Sequence, residues 1–253
     1  MQFFKSKFWN FILEFHLSCN FYKVVPIILN IETSTRSCSV AISKDSNVLS
    51  FRSNMDDNFN HAKILHKLID EAFNDSLLKP KQLDCVSISS GPGSFTGLRI
   101  GASAAKGFCF SLDIPLIEIP TLKIIIEPFL NFAKVVSVQD SIKDEIYYSI
   151  FNNKGVEIQT IKSSKLSENI FEELINQDIH FVGTGIEKIK SVIKKNKKWK
   201  FTEAPPQATS MVELSESFFK MKKFVDYENF SPSYIKPARI TRTKRDNLRQ
   251  IIR

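Results

Sequence analysis

Residues 90–101 read SGPGSFTGLRIG and hold 4 of the chain's 8 glycines. No glycine precedes Gly91, and Gly107 follows close behind. Before the stretch lies DCVSIS, a strand candidate, and after it a helix is expected from about Thr96 to Leu112. The stretch therefore reads as a sharp strand-to-helix turn. Ser94 stands where it can cap the helix, whose first N–H groups would face any anion placed there. The two standard phosphate loops do not fit. No Lys-Ser or Lys-Thr follows a glycine at Walker spacing, and Gly97 comes one residue late for G-x-G-x-x-G.

What the spacing does supply is a row of small residues. Gly97, Gly101 and Ala105 recur at i, i+4 and i+8, with Ala104 beside them. A glycine inside a helix costs about 0.5–1 kcal/mol relative to alanine. Such a row implies that another backbone comes close. It can belong to the same molecule or to a partner helix, and spacing alone leaves both open.

Working outward, three strand candidates (IILNIE, CSVAIS and VLSFRS) form a meander over residues 27–53, turned by KDSN. Ile64, Leu65, Leu68, Ile69, Ala72 and Phe73 mark a helix from His61 to Asn74, with Asn60 as N-cap candidate. IPLIEI reads as a strand and Leu122–Leu130 as a helix. A second series follows. KVVSVQD is a buried strand, and EIYYSIF and GVEIQTI flank the turn residues Asn152, Asn153 and Gly155. Helices are expected over Ser167–Asn176 and Ile186–Lys198, with IHFVGTG as a strand and glycine turn between them. Ser210 and Glu213 have capping-box spacing for a last helix to about Lys223. Both halves begin with a buried strand and a hairpin, so a duplicated α/β domain is expected. The expected divisions are an extension over 1–25, a first domain over 26–124, a second over 125–235 and a basic tail over 236–253.

The net charge of +8 and pI near 9.2 fit either an anionic partner such as RNA or a Lys-, Asn-, Ile- and Phe-rich composition bias. Seven lysines lie between Lys188 and Lys200, and the tail carries seven basic residues against Asp246. These read as solvated charge or as a tRNA-facing surface. Four widely spaced cysteines offer neither a zinc site nor a dithiol pair, and fit a reducing cytoplasmic compartment. Cys38 and Cys109 read as buried small hydrophobes. His61 and His66, at i and i+5, point apart on a helix, so no metal site is expected. Ser94 lacks the G-x-S-x-G context of a hydrolase elbow.

ILNIETSTRSCSVAI, HAKILHKLI, SGPGSFTGLRIGASAAKGF and FVGTG, in that order, resemble the TsaB family, also called YeaZ. The resemblance runs from about Ile28 to Pro237. It implies two duplicated actin-like (ribonuclease-H-like) α/β domains of the ASKHA class, with mixed sheets flanked by helices. It also implies a non-catalytic scaffold in making N6-threonylcarbamoyladenosine at position 37 of tRNAs reading ANN codons. The implied partners are the catalytic paralogue TsaD, in a heterodimer, and the ATPase TsaE, with tRNA engaged through the complex. Family members pair through a helical bundle. Mapped here, the expected interface is His61, Ile64, Leu65, Leu68, Gly97, Arg99, Gly101, Ala104 and Ala105, which alone would also offer a homodimer.

Active members of this fold place a D-x-G-[ST] turn after the first strand. Here that turn is Glu32, Thr33, Ser34 and Thr35, with a Cβ at Ser34 where glycine is wanted. At most weak ATP or ADP contact is expected, at Thr33, Ser34, Thr35, Gly91, Gly93 and Ser94, with no cofactor required and no catalytic residue. Glu32 stands where many members carry Asp, and Asp140-Ser141-Ile142 replaces a common D-A-R. The competing expectations are an ATP-dependent kinase or hydrolase of the same fold, in which Asp140 would be the second-domain carboxylate, and a metallopeptidase.

Overall fold

The computed structural model describes residues 25–55, 61–194 and 196–235. The N-terminal extension, the Asn60 cap and the basic tail lie outside them. Two five-stranded sheets share one plan. In the first, β1 (Ile27–Glu32) pairs antiparallel with β2 (Ser37–Lys44), which pairs antiparallel with β3 (Asn47–Met55). On its other side β1 runs parallel to β4 (Cys85–Ser89), and β4 parallel to β5 (Leu116–Ile119), giving the order 3-2-1-4-5. The second sheet repeats this as 8-7-6-9-10. Its strands are β6 (Lys134–Asp140), β7 (Glu145–Asn152), β8 (Glu157–Lys165), β9 (Ile179–Gly183) and β10 (Trp199–Glu203). Pairing senses match strand for strand. The duplication expected from the sequence is present.

β1 is buried from Ile28 to Glu32 because both sheet faces are covered. On one face Leu29 and Ile31 meet α1 (His61–Ser76) and α2 (Phe95–Leu112) through Leu65, Leu68 and Ala105. On the other, Ile28, Cys85, Ile117 and Ile119 meet Met211 and Leu214. Met211 ends a 3-10 turn at Ala208–Met211, which leads into α5 (Val212–Lys220). Conversely α3 (Thr121–Ile126), which follows β5, lays Leu122, Ile125 and Ile126 on Val135, Phe151 and Val182 of the second sheet. The two halves thus exchange helices. The expected boundary at 124/125 falls inside α3, and Ala208–Phe230, expected in the second half, packs on the first.

Several expected helices are shorter. Pro128 converts the end of Leu122–Leu130 into a 3-10 turn at Glu127–Phe129. Ser167–Asn176 forms successive i→i−3 turns with a 3-10 helix only at Glu172–Leu174, as its Ser and Asn favour turns over helix interiors. α4 (Ile186–Lys190) stops well before Lys198. Asn196 accepts from the Lys198 amide and donates to the Ile175 carbonyl, turning the chain into β10, a strand the sequence did not announce. Ser210 and Glu213 form no capping box; Met211 caps α5 without a side-chain bond. Asn152 and Gly155 do make the expected hairpin turn, with Asn152 Oδ1 accepting from the amides of Lys154 and Val156.

Candidate functional site

A cleft of about 1050 Å³ opens between the halves. Its first wall is the turn after β1 together with the loop entering α2. Inside that turn the Ser34 amide donates to Glu32 Oε1 at 2.5 Å, while Oε2 has no hydrogen-bond partner among the described residues. Glu32 is fully buried, and that burial pushes its carboxyl above the ordinary carboxylate range, against hydrogen bonds from Ser34 and Ser89.

The glycine stretch lies directly against this turn. The Ser94 amide donates to the Ser34 carbonyl at 2.7 Å, and Ser94 Oγ accepts from the Gly97 amide, the cap expected for α2. A Cβ on Gly93 would sit 2.3 Å from the Ser34 carbonyl oxygen, and one on Gly97 2.1 Å from that of Thr33. A Cβ on Gly101 would sit 2.4 Å from Thr33 Oγ1. The glycines let one stretch of the molecule's own backbone approach another. At the helix start the Ser94 amide is taken up by the Ser34 carbonyl of the fold. Of the residues expected to touch nucleotide, Ser34, Thr35, Gly93 and Ser94 line the cleft; Thr33 and Gly91 do not.

The same geometry corrects the expected partner face. His61, Leu65, Leu68, Gly97, Gly101, Ala104 and Ala105 are all buried within the molecule. Only Ile64, half-buried, and Arg99, exposed, reach the surface. Arg99 lies 3.8 Å above the Phe95 ring, and its Nε donates to the Tyr234 hydroxyl, clasping the C-terminal strap to α2. The outward side of α2 is a different row, Ser103, Gly107 and Phe110, continued by Ile100, which is half-buried against the core. Ser103, Gly107 and Phe110 are exposed, and among the described residues nothing beyond the helix's own backbone lies within 4 Å of a Cβ placed on Gly107.

The second wall comes from the other sheet. Gly183 lets β9 close on β6, where a Cβ would fall 1.8 Å from the Val138 carbonyl oxygen. Thr184 Oγ1 then accepts from the Asp140 amide at 3.1 Å. The Asp140 carboxylate is ion-paired with Lys188 Nζ, which also donates to the Ser141 carbonyl at 2.8 Å. Gln139 lines the cleft, buried, with Oε1 unpartnered among the described residues. Glu203 also lines it. Burial, then Glu187, raises its carboxyl, against the pull of Lys190. Chemically the cleft offers polar turns, an Asp140 carboxylate already balanced by Lys188, and the carboxylates of Glu145 and Glu203. Sequence reasoning missed Lys188, read as part of a basic helix surface, and Glu203, on the unannounced strand.

Among the described residues, no group of three His, Cys, Asp or Glu side chains is placed to hold a metal ion. His61 is buried and His66 exposed. Cys38, Cys85 and Cys109 are free and buried, and burial pushes the Cys38 and Cys109 thiols up to about 12. No described helix is long and apolar enough to cross a membrane.

Two copies of one mixed five-stranded sheet, facing each other across a cleft and exchanging helices, define a protein of the actin-like, duplicated α/β class. Residues 58–242 match the family model described as "TsaD: tRNA N6-adenosine threonylcarbamoyltransferase". The tRNA threonylcarbamoyladenosine biosynthesis protein TsaB of Haemophilus influenzae is 29% identical over 83% of this chain and 93% of its own length. TsaB of Buchnera aphidicola subsp. Acyrthosiphon pisum is 34% identical over 59% of this chain and 69% of its own. The fold superposes on YeaZ from Pseudomonas aeruginosa with a TM-score of 0.72 at 21% identity, covering 83% of this chain and 100% of that one. The chain belongs to the TsaB (YeaZ) family, whose curated members are named for tRNA threonylcarbamoyladenosine biosynthesis.

Proposed function

We propose that this chain is the non-catalytic partner subunit in forming N6-threonylcarbamoyladenosine at position 37 of tRNAs reading ANN codons, working in the cytoplasm. In this reading it forms a heterodimer with TsaD and supports TsaE. The family membership supports the pathway. The turn at Ser34, the buried Glu32 and the neutralised Asp140 support the non-catalytic role, with at most weak ATP or ADP contact at the complex interface.

The observation that carries the pairing is the outward row of α2. Gly107 sits in a helix interior, where glycine costs about 1 kcal/mol against alanine, and among the described residues no neighbouring group requires it there. Three residues on, Phe110 leaves three-quarters of its surface in water. A helix laid along Ile100, Ser103, Gly107 and Phe110, beside Ile64 of α1, would account for both. Alone, the same row offers a homodimer.

The test is co-purification with the TsaD paralogue. Wild type is expected to form a stable heterodimer, and Phe110→Asp and Gly107→Leu to lose it while the monomer stays folded. Pairing that survives both substitutions overturns this assignment. Robust ATP turnover by the chain alone would overturn the non-catalytic role.

A further inference from the structure

A second cleft, of about 640 Å³, lies on the other side of the strap at Ser233, which borders both cavities. It is built where the halves exchange helices: α3, the β7–β8 turn and the segment after α5 each contribute a lysine. Lys123 Nζ lies 5.5 Å and Lys223 Nζ 4.9 Å from the centroid of one ring, Phe218. Lys154 comes from the hairpin turn facing them. Among the described residues none of these three ammonium groups forms a salt bridge, although Glu118 and Glu157 also line the cleft and Glu127 interacts electrostatically with Lys123. Ammonium groups gathered around one cavity repel each other, a repulsion these carboxylates offset only in part and an anion between the lysines would relieve. The mouth is apolar and uncovered, with Phe224 39% and Val156 56% exposed. Ser90 and Ser233 add hydroxyls.

We propose that this second cleft binds a nucleotide, free or within an RNA strand, with its phosphate on Lys123, Lys154 and Lys223 and its base against Phe224. Lysines hold phosphate as point charges, and an exposed aromatic ring accepts any base by stacking. The glutamates and serines supply partners for ribose hydroxyls and base amines. The RNA arm rests on the tRNA reading above; the free-nucleotide arm stands without it.

The experiment titrates ADP and, separately, a 5′-phosphorylated RNA oligonucleotide onto the full chain, by calorimetry and fluorescence anisotropy. Lys154→Gln combined with Lys223→Gln changes only exposed side chains. Lys222→Gln, an exposed neighbour outside the cleft, is the control. At least one probe is expected to bind, about tenfold more weakly to the double variant and unchanged to the control. Binding of ADP but not RNA assigns the site to free nucleotide. RNA binding, with a salt slope reduced by roughly 1.4 in the double variant, assigns it to RNA. The proposal is overturned if neither probe binds, if the double variant binds as wild type does, or if the control weakens equally.

Discussion

Gly101 lies so close to Thr33 that a Cβ on the glycine would stand 2.4 Å from the threonine hydroxyl oxygen. Six residues along the same helix, Gly107 has open space where its Cβ would be. The first glycine answers to a neighbour inside the molecule; at the second, no described group beyond the helix's own backbone comes near.

Opposite responses to the same substitution are therefore expected. Gly101→Ala should destabilise the monomer by about 1–3 kcal/mol, because buried Thr33 has to shift. Gly107→Ala should stabilise it by about 0.5–1 kcal/mol through helix propensity. Chemical denaturation of the two variants reads both signs. A stable Gly101→Ala monomer would contradict the inward packing.

Glu32 gives a pH signature. Its carboxyl titrates higher in the folded chain than in the unfolded one, so the fold prefers the protonated form. Its contribution is complete below the ordinary carboxylate range and is lost as pH rises through the raised value. Glu32→Gln, always neutral, should escape that loss. The stability of wild type relative to the variant should fall with rising pH, and a flat difference would show that Glu32 is not held this way.

Glu216 of α5 works in the other direction. Burial opposes its ionisation, but hydrogen bonds from Lys220 and from the Ser46 side chain and amide outweigh that and hold it below the usual range. Its contribution is present above the unfolded pKa and lost as pH falls through the depressed value. Glu216→Gln should be less stable than wild type at neutral pH, with the gap closing on acidification. Thermal melts across the acid range would measure it.

Lys188 ties the 140–145 loop together, reaching the Asp140 carboxylate and the carbonyls of Ser141, Lys143 and Glu145. Lys188→Ala should cost about 1–3 kcal/mol. It should also speed hydrogen exchange at the amides of Ser141 and Glu145, which bond within that loop. Unchanged exchange there would mean the loop holds itself.

Much of this was legible in the chain. Continuous apolar runs announced β1 and β6, and the concentration of glycines announced the turn into α2. Helical spacing put Gly97, Gly101 and Ala105 on one face, but it fixes a face without saying what lies opposite. That depended on where β1 ends in space. β10 was hidden because Lys198 and Lys200 broke up the apolar signal of Trp199 and Phe201. The pairing of Asp140 with Lys188 and the return of α5 to the first sheet join residues far apart in sequence, which no local pattern records.

The exchange of helices sets an order of events during synthesis. The first sheet is complete in sequence at Ile119, yet one of its faces waits for Met211 and Leu214. At ribosomal speeds those residues arrive roughly 5–20 s later. Until then Ile28, Cys85, Ile117 and Ile119 are a bare apolar surface on a nascent chain, the kind of surface a chaperone holds.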